Sequence, residues 1–374
     1  MKELLVVPQI DQFDTFKEFA DAFSLSEKDL ILTNEYIYNP VMAEAGISCP
    51  VIFQEKYGQG EPTDVMVDAI LKEMTRYECS RIVAVGGGTI LDIAKVMCLE
   101  DAKDTDSLYD RGELVKEKEL ILVPTTCGTG SEVTNISVIN RTRKGTKMGL
   151  TSPNMYADHA VLIPQFLETL PYYVFATSSI DALIHAVESY LGPFSTSYTE
   201  LFAVEAIREI IAGYCRIALN GQDARLADGA AYLKASNYAG IAFGNNGCAA
   251  VHAMSYALGG KYHVPHGESN YQFFTDVLYT YYQKQPDGKI RDIMSLIENT
   301  CREHGFEAEG NGIDILAALL EKVLTRKQMR EFGAVQEDIR PFAESTIANQ
   351  QRLLKNNYVP LTVDEIEAIY QKRL

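Results

Sequence analysis

Two side chains in the segment Ile180–Glu188 have the types and spacing needed to bind a metal ion. Asp181 and His185 are four residues apart, so on an α-helix they project from the same face, one turn apart. A carboxylate and an imidazole placed in this way can bind one divalent cation, and such a cation can hold an alcohol or carbonyl oxygen. The same spacing is common in ordinary surface contacts of helices, so the pair alone leaves both interpretations open.

Two further histidines, His252 and His266, lie downstream in apolar and glycine-rich segments. A single histidine on an apolar helix face is typical of a hydrogen-bonded core residue. Two of them, combined with Asp181 and His185, supply three neutral imidazoles and one carboxylate. This set of side chains suits Fe(II) or Zn(II) with a position left for a substrate, and it does not distinguish the two metals.

A run of three glycines follows a predicted strand and precedes a predicted helix in Gly86–Asp92. Glycines at the end of a strand let backbone amides approach a ligand, and the N-terminus of the following helix favours a diphosphate. We expect Thr89 to cap this helix, with Asp92 at the third helical position completing a capping box. The segment matches neither the G-x-G-x-x-G pattern nor the P-loop pattern, so a tight turn without a ligand is the alternative.

A second loop, rich in hydroxyls and glycines, leaves another predicted strand at Pro124–Glu132. This composition is typical of a loop that wraps a nucleotide, although a loop without a ligand can share it. Cys127 has no histidine near it in the sequence and is interpreted as a small packing residue. Because ligands of parallel sheets bind beyond the carboxyl ends of the strands, the two loops together predict a dinucleotide site.

The residues from 1 to 165 alternate short β-rich runs with helical patterns. Such alternation predicts right-handed crossovers and a mostly parallel sheet. The predicted strands are Asp29–Asn34, Pro50–Gln54, Arg81–Val85, Glu119–Val123 and Ala160–Pro164, and Pro62–Tyr77 is predicted to be an amphipathic helix. We therefore predict an α/β dinucleotide-binding domain over residues 1–165.

The residues from 166 to 374 contain long helical patterns and almost no strand signals. The predicted helices are Glu200–Leu219, Ala224–Phe243, Glu268–Tyr282, Ile290–His304, Ile313–Leu324 and Val363–Leu374. The last of them follows Thr362, and Glu365 three residues later completes a capping box. This half of the chain is predicted to be an all-α domain that carries the metal site and the catalytic groups.

Composition excludes several functional classes. The chain has 374 residues, of which 47% are hydrophobic and 23% charged, and its net charge of −17 argues against a nucleic-acid binder. We find no pattern typical of a secretory signal and no apolar run of about 18 residues that would span a membrane. The seven cysteines include no C-x-x-C pair, which favours reduced thiols in the cytoplasm. We expect a cytoplasmic protein that acts on a small-molecule substrate.

Taken together, four segments resemble those of the iron-containing (group III) alcohol dehydrogenases, and the resemblance covers essentially the whole chain. The segments are Gly86–Asp92, Pro124–Glu132, Asp181–Glu188 and His252–Gly267. The resemblance implies a dehydroquinate synthase-like fold, in which a dinucleotide-binding α/β domain is followed by a helical metal domain. It also implies a homo-oligomer, commonly a dimer, that uses iron or zinc and a nicotinamide cofactor.

The resemblance also implies roles for individual residues. The metal ligands would be Asp181, His185, His252 and His266. The residues around the cofactor would be Gly87, Gly88, Thr89 and Asp92 at the diphosphate, Thr125, Thr126 and Thr129 further along, Lys147 near the nicotinamide ribose, and Asn34 at the adenosine ribose. Lys147 is also a catalytic candidate.

Three departures from the family pattern affect these roles. Tyr256 stands where many members have a histidine that relays a proton, and His263 is an additional histidine that is a candidate for the same role. Asn34 replaces an acidic residue that rejects a 2′-phosphate, so NAD is expected with NADP as an alternative. Ile163 replaces an Asp before Pro164, and we interpret this change as structural.

Within the family, three stretches are most similar to members that interconvert 4-hydroxybutyrate and succinate semialdehyde. These are Glu55–Pro62, Ala235–Gly244 and His263–Glu268. The expected reaction is a reversible hydride transfer, and the substrate carboxylate needs a local cationic partner. The candidates for that partner are His263, Lys261 and, less favoured, Arg141 and Arg143.

Three alternatives remain open. One is a short-chain alcohol or 1,3-diol dehydrogenase of the same family, the second is a non-redox enzyme on the same scaffold, and the third is a non-catalytic metal- or nucleotide-binding protein. The second alternative would need a basic pocket for a phosphorylated substrate, and the motif segments of the helical half contain few Lys and Arg residues.

Overall fold

The computed structural model describes residues 2–374 and divides them into two compact units. The first unit comprises Val6–Leu170. The second comprises residues 2–5 and Pro171–Leu374.

The first unit contains all eight strands found in the described residues. They are β1 Gln9–Gln12, β2 Asp29–Thr33, β3 Val51–Phe53, β4 Arg81–Gly86, β5 Glu119–Pro124, β6 Ile136–Arg141, β7 Thr146–Thr151 and β8 His159–Leu162. Six of them form one sheet in the order β1-β8-β5-β4-β2-β3, and every pairing in it is parallel. The prediction of a mostly parallel sheet is therefore confirmed.

The central strands are continuous apolar runs because both faces of the sheet are covered. Successive side chains alternate between the faces, so Leu30 and Leu32 of β2 enter one core cluster and Ile31 enters the other. β4 and β5 alternate in the same way. The helices of this unit are α1 Phe16–Ala22, α2 Glu35–Ile37, α3 Asp64–Met74, α4 Gly88–Met97, α5 Thr105–Asp110 and α6 Gln165–Glu168. Side chains of α3 and α4 cover one face, and those of α1 and α6 cover the other.

The remaining two strands, β6 and β7, form an antiparallel hairpin that the sequence analysis missed. Its connection ends at Gly145, whose φ of +64° is readily adopted only without a side chain. Most of β7 is exposed, so it lacks the apolar run by which the buried strands are recognised. The four-residue edge strand β1 was missed for the same reason, since none of its residues is fully buried.

The second unit is helical, as predicted. Its helices are α7 Tyr172–Leu191, α8 Ser197–Asn220, α9 Gly229–Asn246, α10 Ala250–Tyr262, α11 His266–Tyr271, α12 Phe274–Lys284, α13 Lys289–Glu303, α14 Gly312–Val323, α15 Ile339–Asn349, α16 Gln351–Leu354 and α17 Val363–Arg373. The capping box at the start of α17 is confirmed, because the Thr362 hydroxyl accepts from the Glu365 N–H and the Glu365 side chain accepts from the Thr362 N–H.

Two predicted helices are interrupted. The pattern Ala224–Phe243 begins in the 3₁₀ segment Gln222–Asp228 and continues as α9. The pattern Glu268–Tyr282 divides into α11 and α12 at Phe273, whose N–H bonds to the carbonyl of Asn270 three residues earlier. A hydrogen bond that spans three residues is of the 3₁₀ type, and here it separates the end of α11 from the start of α12. Among the described residues, no helix has the length and apolar character required to cross a membrane.

Candidate functional site

Helix α7 carries the first two predicted metal ligands. It begins after Pro171 and ends before Gly192, and its central turns are buried on all sides. Asp181 and His185 are both buried, and the His185 Nδ1 lies 4.0 Å from the Asp181 Oδ2. The His185 ring stacks against Phe243 with a centroid separation of 4.2 Å. The predicted spacing of the two side chains on one helix face is therefore present.

The third predicted ligand, His252, lies in the first turn of α10 and is oriented by a carboxylate from α7. Glu188 accepts hydrogen bonds from the N–H groups of Ala249 and Val251 at 2.8 and 2.6 Å. It also lies 2.7 Å from the Nδ1 of His252. In the neutral ring this contact assigns the proton to Nδ1 and leaves Nε2 as an acceptor. The Nε2 is buried, has no hydrogen-bond partner, and lies 3.5 Å from an oxygen of Asp181.

His266 is the first residue of α11, and its side chain is 35% exposed, so this part of the site is the more open. Its Nε2 lies 3.8 Å from the Asp181 Oδ1. Asn270, one turn further along α11, donates to the Asp181 Oδ1 at 2.7 Å and lies 3.2 Å from the His266 Nε2. The side chain of Asn270 therefore orients the carboxylate and faces the imidazole at the same time.

Two overlapping groups of donor atoms result. Asp181, His252 and His266 each offer one atom, and these three atoms lie within 4.8 Å of one another. His185, Cys248 and His252 form a second such group with the same limit of 4.8 Å. The structure thus brings together three of the four predicted ligands in one group and places His185 in the adjoining one. The buried, unpartnered Nε2 of His252 and the carboxylate beside it fit a divalent cation.

Charge in this cluster is balanced between carboxylates and imidazoles. Burial alone would raise the pKa of Asp181, but the charges of His185 and His266 and the contact with His252 outweigh it and lower that pKa. Burial would likewise lower the pKa of His252, yet the Cys248 and Glu188 side chains raise it well above its ordinary value. Asp181 is consequently ionised and its oxygens are available as hard ligands.

The glycine turn of the first unit differs in detail from the prediction. Helix α4 begins at Gly88 with Gly87 as its N-cap, so the prediction that Thr89 caps the helix was wrong. The Thr89 hydroxyl instead donates to the carbonyl of Gly60 at 3.0 Å. Asp92 is one turn into the helix and does not close a capping box. The helix starts earlier than predicted because glycine can begin it without a side-chain cap, and its first N–H groups have no acceptor within the helix.

The hydroxyl-rich loop lies against this turn. A Cβ added to Gly88 would stand 2.9 Å from the Cγ2 of Thr129, and one added to Gly87 would stand 3.5 Å from the Cγ2 of Thr126. The N–H of Thr125 bonds to the carbonyl at the end of β4 at 3.0 Å. The two predicted phosphate-binding segments are therefore neighbours, and the absence of a side chain at Gly88 is what lets them approach.

Buried charges hold the hydroxyl-rich loop from inside the unit. Lys95 is fully buried, and its Nζ bonds to the Ser131 Oγ at 2.6 Å, to the Thr134 Oγ1 at 3.1 Å and to the carbonyl of Ile136 at 2.8 Å. The Ser131 hydroxyl donates to Asp92 at 2.6 Å. Burial lowers the pKa of Lys95 despite the nearby Asp92 carboxylate. Asp92, predicted to border the cofactor, thus contacts the loop that would bind it.

Asn34 occupies the predicted place at the end of β2, but its side chain is turned inward and is already hydrogen-bonded within the protein. It is buried, donates to Gln54 at 3.1 Å and to Glu55 at 2.9 Å, and accepts from the Tyr36 hydroxyl at 3.1 Å. The other oxygen of Glu55 accepts from the N–H of Glu35 at 2.6 Å. A carboxylate is therefore present at this edge of the sheet, supplied by Glu55 rather than by the residue that ends β2.

Lys147 lies on β7, and its Nζ is 2.8 Å from both carboxylate oxygens of Glu61. Glu61 directly follows Gly60, the residue that accepts from Thr89. Lys147 is thereby linked to the segment that contacts the glycine turn.

The predicted proton-relay residues lie on or just after α10. Tyr256 is one turn after His252 and packs against the cluster that contains Cys248. His263 ends the helix with a φ of +55°, a left-handed conformation that non-glycine residues adopt less readily. Lys261 pairs with Asp338, so this candidate for binding the substrate carboxylate is already engaged by an anion. Arg141 and Arg143 belong to the first unit and pair with carboxylates there.

Several residues of these sites escaped the sequence analysis. Glu188 had a usable signal, because it follows His185 by three residues and so shares its helix face. Asn270 follows His266 by four residues and had the same kind of signal. Lys95 and Glu55 had none, since the loop partners of Lys95 and the partners of Glu55 are distant in sequence.

Two family models match this chain. The C-terminal model of the Fe-containing alcohol dehydrogenase family matches residues 175–374. The iron-containing alcohol dehydrogenase model matches residues 11–164. Among curated proteins, the chain is 48% identical over 373 residues to the 4-hydroxybutyrate dehydrogenase of Clostridium kluyveri, covering 100% of both chains. It is 33% identical to the long-chain-alcohol dehydrogenase 1 of Geobacillus thermodenitrificans, covering 90% of this chain and 88% of that one.

Solved structures show a similar fold. The sulfoacetaldehyde reductase from Bifidobacterium kashiwanohense in complex with NAD⁺ superposes with a TM-score of 0.84 at 20% identity, covering 100% of this chain and 98% of that one. A 1,3-propanediol oxidoreductase superposes with a TM-score of 0.82 at 23% identity, with 100% of both chains covered. At these identities the likeness establishes the fold.

Proposed function

Because this chain belongs to the iron-containing alcohol dehydrogenase family, we propose that it interconverts 4-hydroxybutyrate and succinate semialdehyde with NAD. The observation that carries this proposal is the 48% identity, over the full length of both chains, to a 4-hydroxybutyrate dehydrogenase. In the oxidative direction the alcohol loses a hydride to NAD⁺ and a proton to the protein or solvent, which yields the aldehyde, NADH and H⁺.

The metal centre of this proposal consists of Asp181, His252 and His266, with His185 as the fourth ligand. A divalent ion bound there would act as a Lewis acid that lowers the pKa of an alcohol hydroxyl and polarises an aldehyde carbonyl. The family supports iron, and zinc accepts the same ligands. The protein's own contribution is orientation, because Glu188 fixes the ring of His252 and Asn270 fixes the carboxylate of Asp181. Tyr256 and His263 remain our candidates for carrying the proton.

The first unit would bind the nicotinamide cofactor. The start of α4, which has no side-chain cap, and the adjoining threonine loop suit a diphosphate. Lys147 is proposed to lie near the nicotinamide ribose. Glu55, held by Asn34 and by the N–H of Glu35, is proposed to accept from the adenosine ribose hydroxyls. Its negative charge would repel the 2′-phosphate of NADP, which supports NAD despite the neutral Asn34.

We also propose a homodimer in a reducing compartment. All seven cysteines lie within the described residues, and each is a free thiol. Size-exclusion chromatography with light scattering tests the dimer.

The substrate is tested by initial rates of NADH formation from three primary alcohols in the presence of Fe(II). 4-Hydroxybutyrate and 1-butanol have four carbons each and differ in the carboxylate and its charge, so 1-butanol is the matched control. We expect kcat/KM to be at least about tenfold higher for 4-hydroxybutyrate, which corresponds to roughly 1.4 kcal/mol from the carboxylate contact. A preference for 1-butanol or 1,3-propanediol would instead identify the chain as a short-chain alcohol or diol dehydrogenase.

A further inference from the structure

A buried thiol lies beside the imidazoles of the proposed metal centre. The donor atoms of Cys248, His185 and His252 lie within 4.8 Å of one another, and all three residues are buried. Donor atoms around a tetrahedral ion stand about 3.3–3.8 Å apart, given bond lengths of roughly 2.0–2.3 Å. Small side-chain movements would therefore close this group on one ion.

The thiol is held in this place by the backbone around it. Gly247, with a φ of +85°, lets the chain leave α9 and turn into α10. The side-chain amide of Asn356 donates to the Cys248 carbonyl at 2.8 Å. The surrounding side chains are apolar and include Ala253 and Leu353. A thiol in such surroundings has few alternatives to contacting the two rings.

The imidazole that belongs to both donor groups also indicates a bound ligand. The Nε2 of His252 is buried and has no hydrogen-bond partner, while its other ring nitrogen contacts Glu188. An unpartnered buried nitrogen is unusual in a protein interior unless an ion or another group occupies the space before it. The same nitrogen faces the Asp181 carboxylate at 3.5 Å, so His252 lies between a hard oxygen donor and a soft sulfur donor.

We propose that this protein has two alternative metal positions that share His185 and His252. Asp181, His252 and His266, with His185 as the fourth ligand, would form the position for a hard ion such as Fe(II) or Mn(II). Cys248, His185 and His252 would form a position for a thiophilic ion such as Zn(II) or Cd(II). Thiolate and imidazole ligands favour such ions, whereas carboxylate favours the harder ones. Because the same two imidazoles cannot serve both positions fully, occupation of one excludes the other.

Binding of a metal ion at the second position requires no further reactant. The thiol of Cys248 loses its proton to solvent as the sulfur–metal bond forms, and no electron is transferred. The inference rests on the proposed metal centre, since it uses two of its imidazoles. It adds that a chain loaded with zinc would hold the ion by sulfur, away from the Asp181 carboxylate.

The test uses the full-length protein stripped of metal and titrated with Cd(II), a spectroscopic substitute for Zn(II). We expect an ultraviolet thiolate-to-cadmium absorption band that reaches its limit at one ion per chain. Cys248→Ser and Cys248→Ala should lose the band, and Cys79→Ser, which removes a half-buried thiol of the first unit, should keep it. A band that persists in both Cys248 variants would overturn the proposal. Circular dichroism of each stripped variant shows whether it is folded.

Chelator competition then shows whether Cys248 binds the metal ion or only orients the His185 ring. As a ligand, Cys248 should contribute to Zn(II) and Cd(II) binding, so Cys248→Ser should weaken both by at least about tenfold and change Mn(II) by less than about threefold. Asp181→Asn should show the opposite preference.

An equal loss for all ions in Cys248→Ser would mean that the thiol merely positions the ring, and the two-position proposal would be wrong. If the parent protein bound none of these ions, the proposed metal centre itself would fail, which is a different result from failure of the Cys248 variants alone.

Discussion

The two candidate sites of this molecule are built in different ways. The metal centre of the second unit depends on side chains from three helices, α7, α10 and α11, whose donor atoms must meet within a few ångströms. The candidate nucleotide site of the first unit depends on backbone, since it presents a glycine turn, the N-terminus of α4 and a loop of small hydroxyl residues. One site is specified by the chemistry of its side chains and the other by the path of its chain.

The supporting residues differ accordingly. In the second unit Glu188 and Asn270 touch the proposed ligands themselves: Glu188 sets the tautomer of His252, and Asn270 sets the direction of the Asp181 carboxylate. In the first unit Lys95 lies beneath the hydroxyl-rich loop and fixes the path of the backbone. Replacing Glu188 should therefore change the affinity for metal, whereas replacing Lys95 should change the affinity for nucleotide. If the two effects could not be separated, the two sites would not be supported independently.

The largest effect is expected for Glu188→Gln. Glu188 accepts from three donors, and a glutamine has one acceptor oxygen and an NH₂ group that would face another donor. We expect metal affinity, measured by chelator competition, to fall about 10–100-fold. The free energy of unfolding should also fall by about 1–3 kcal/mol, measured by denaturant titration, because a buried N–H loses its acceptor.

Glu205→Gln is the matched control for this variant. Glu205 pairs with Arg208 at the surface of α8, so its replacement should leave metal affinity unchanged. NADH binding to the Glu188 variant, followed by fluorescence, should match that of the parent protein. A large loss of NADH binding would show that the two sites are not independent.

A smaller effect, confined to the first unit, is expected for Lys95→Met. The substitution keeps an unbranched apolar chain but removes the bonds to Ser131, Thr134 and the carbonyl of Ile136. The freed loop must then be ordered when the nucleotide binds, so the dissociation constant of NADH should rise about tenfold, or roughly 1.4 kcal/mol. Metal content should not change. Lys72→Met, at an exposed position of α3, is the control and should bind NADH normally.

The same contrast explains what could be predicted from the sequence. The buried strands β2, β4 and β5 were predicted because parallel strands covered on both faces must be apolar along their length. Asp181 and His185 were singled out because few residue types can bind a metal and helical spacing restricts their arrangement. The hairpin of β6 and β7 was missed, since its exposed residues carry no such constraint.

Side-chain roles in the nucleotide loops were predicted less well. Thr89 was expected to cap α4, yet the helix begins at Gly88 because the backbone of glycine can turn there unaided. Asp92, three residues before Lys95, is its partner nearby in sequence. The role of Lys95 beneath the loop could not have been assigned, because its partners there lie 36 to 41 residues away and meet it only through the fold. Cys248 was passed over for a similar reason, since its relation to His185 depends on how α7 and the start of α10 pack.

The smallest effect should come from Glu55→Gln, which tests whether a backbone-built site can still select its ligand by charge. The Glu55 carboxylate is fixed by Asn34 and by the N–H of Glu35, at the sheet edge where the adenosine ribose is proposed to bind. Two unit charges about 4 Å apart interact by roughly 1 kcal/mol in water and more where solvent is partly excluded.

Removing that charge should lower the preference for NAD over NADP, expressed as the ratio of their kcat/KM values, by about three- to tenfold. Most of the change should appear as a lower KM for NADP, because the substitution removes repulsion from the 2′-phosphate and leaves the diphosphate loops intact. Glu44→Gln, which neutralises an exposed carboxylate elsewhere in the first unit, controls for the change in net charge and should keep the parent ratio. An unchanged ratio in the Glu55 variant would place the adenosine ribose away from this edge, and the cofactor preference would then have to come from residues other than Asn34 and Glu55.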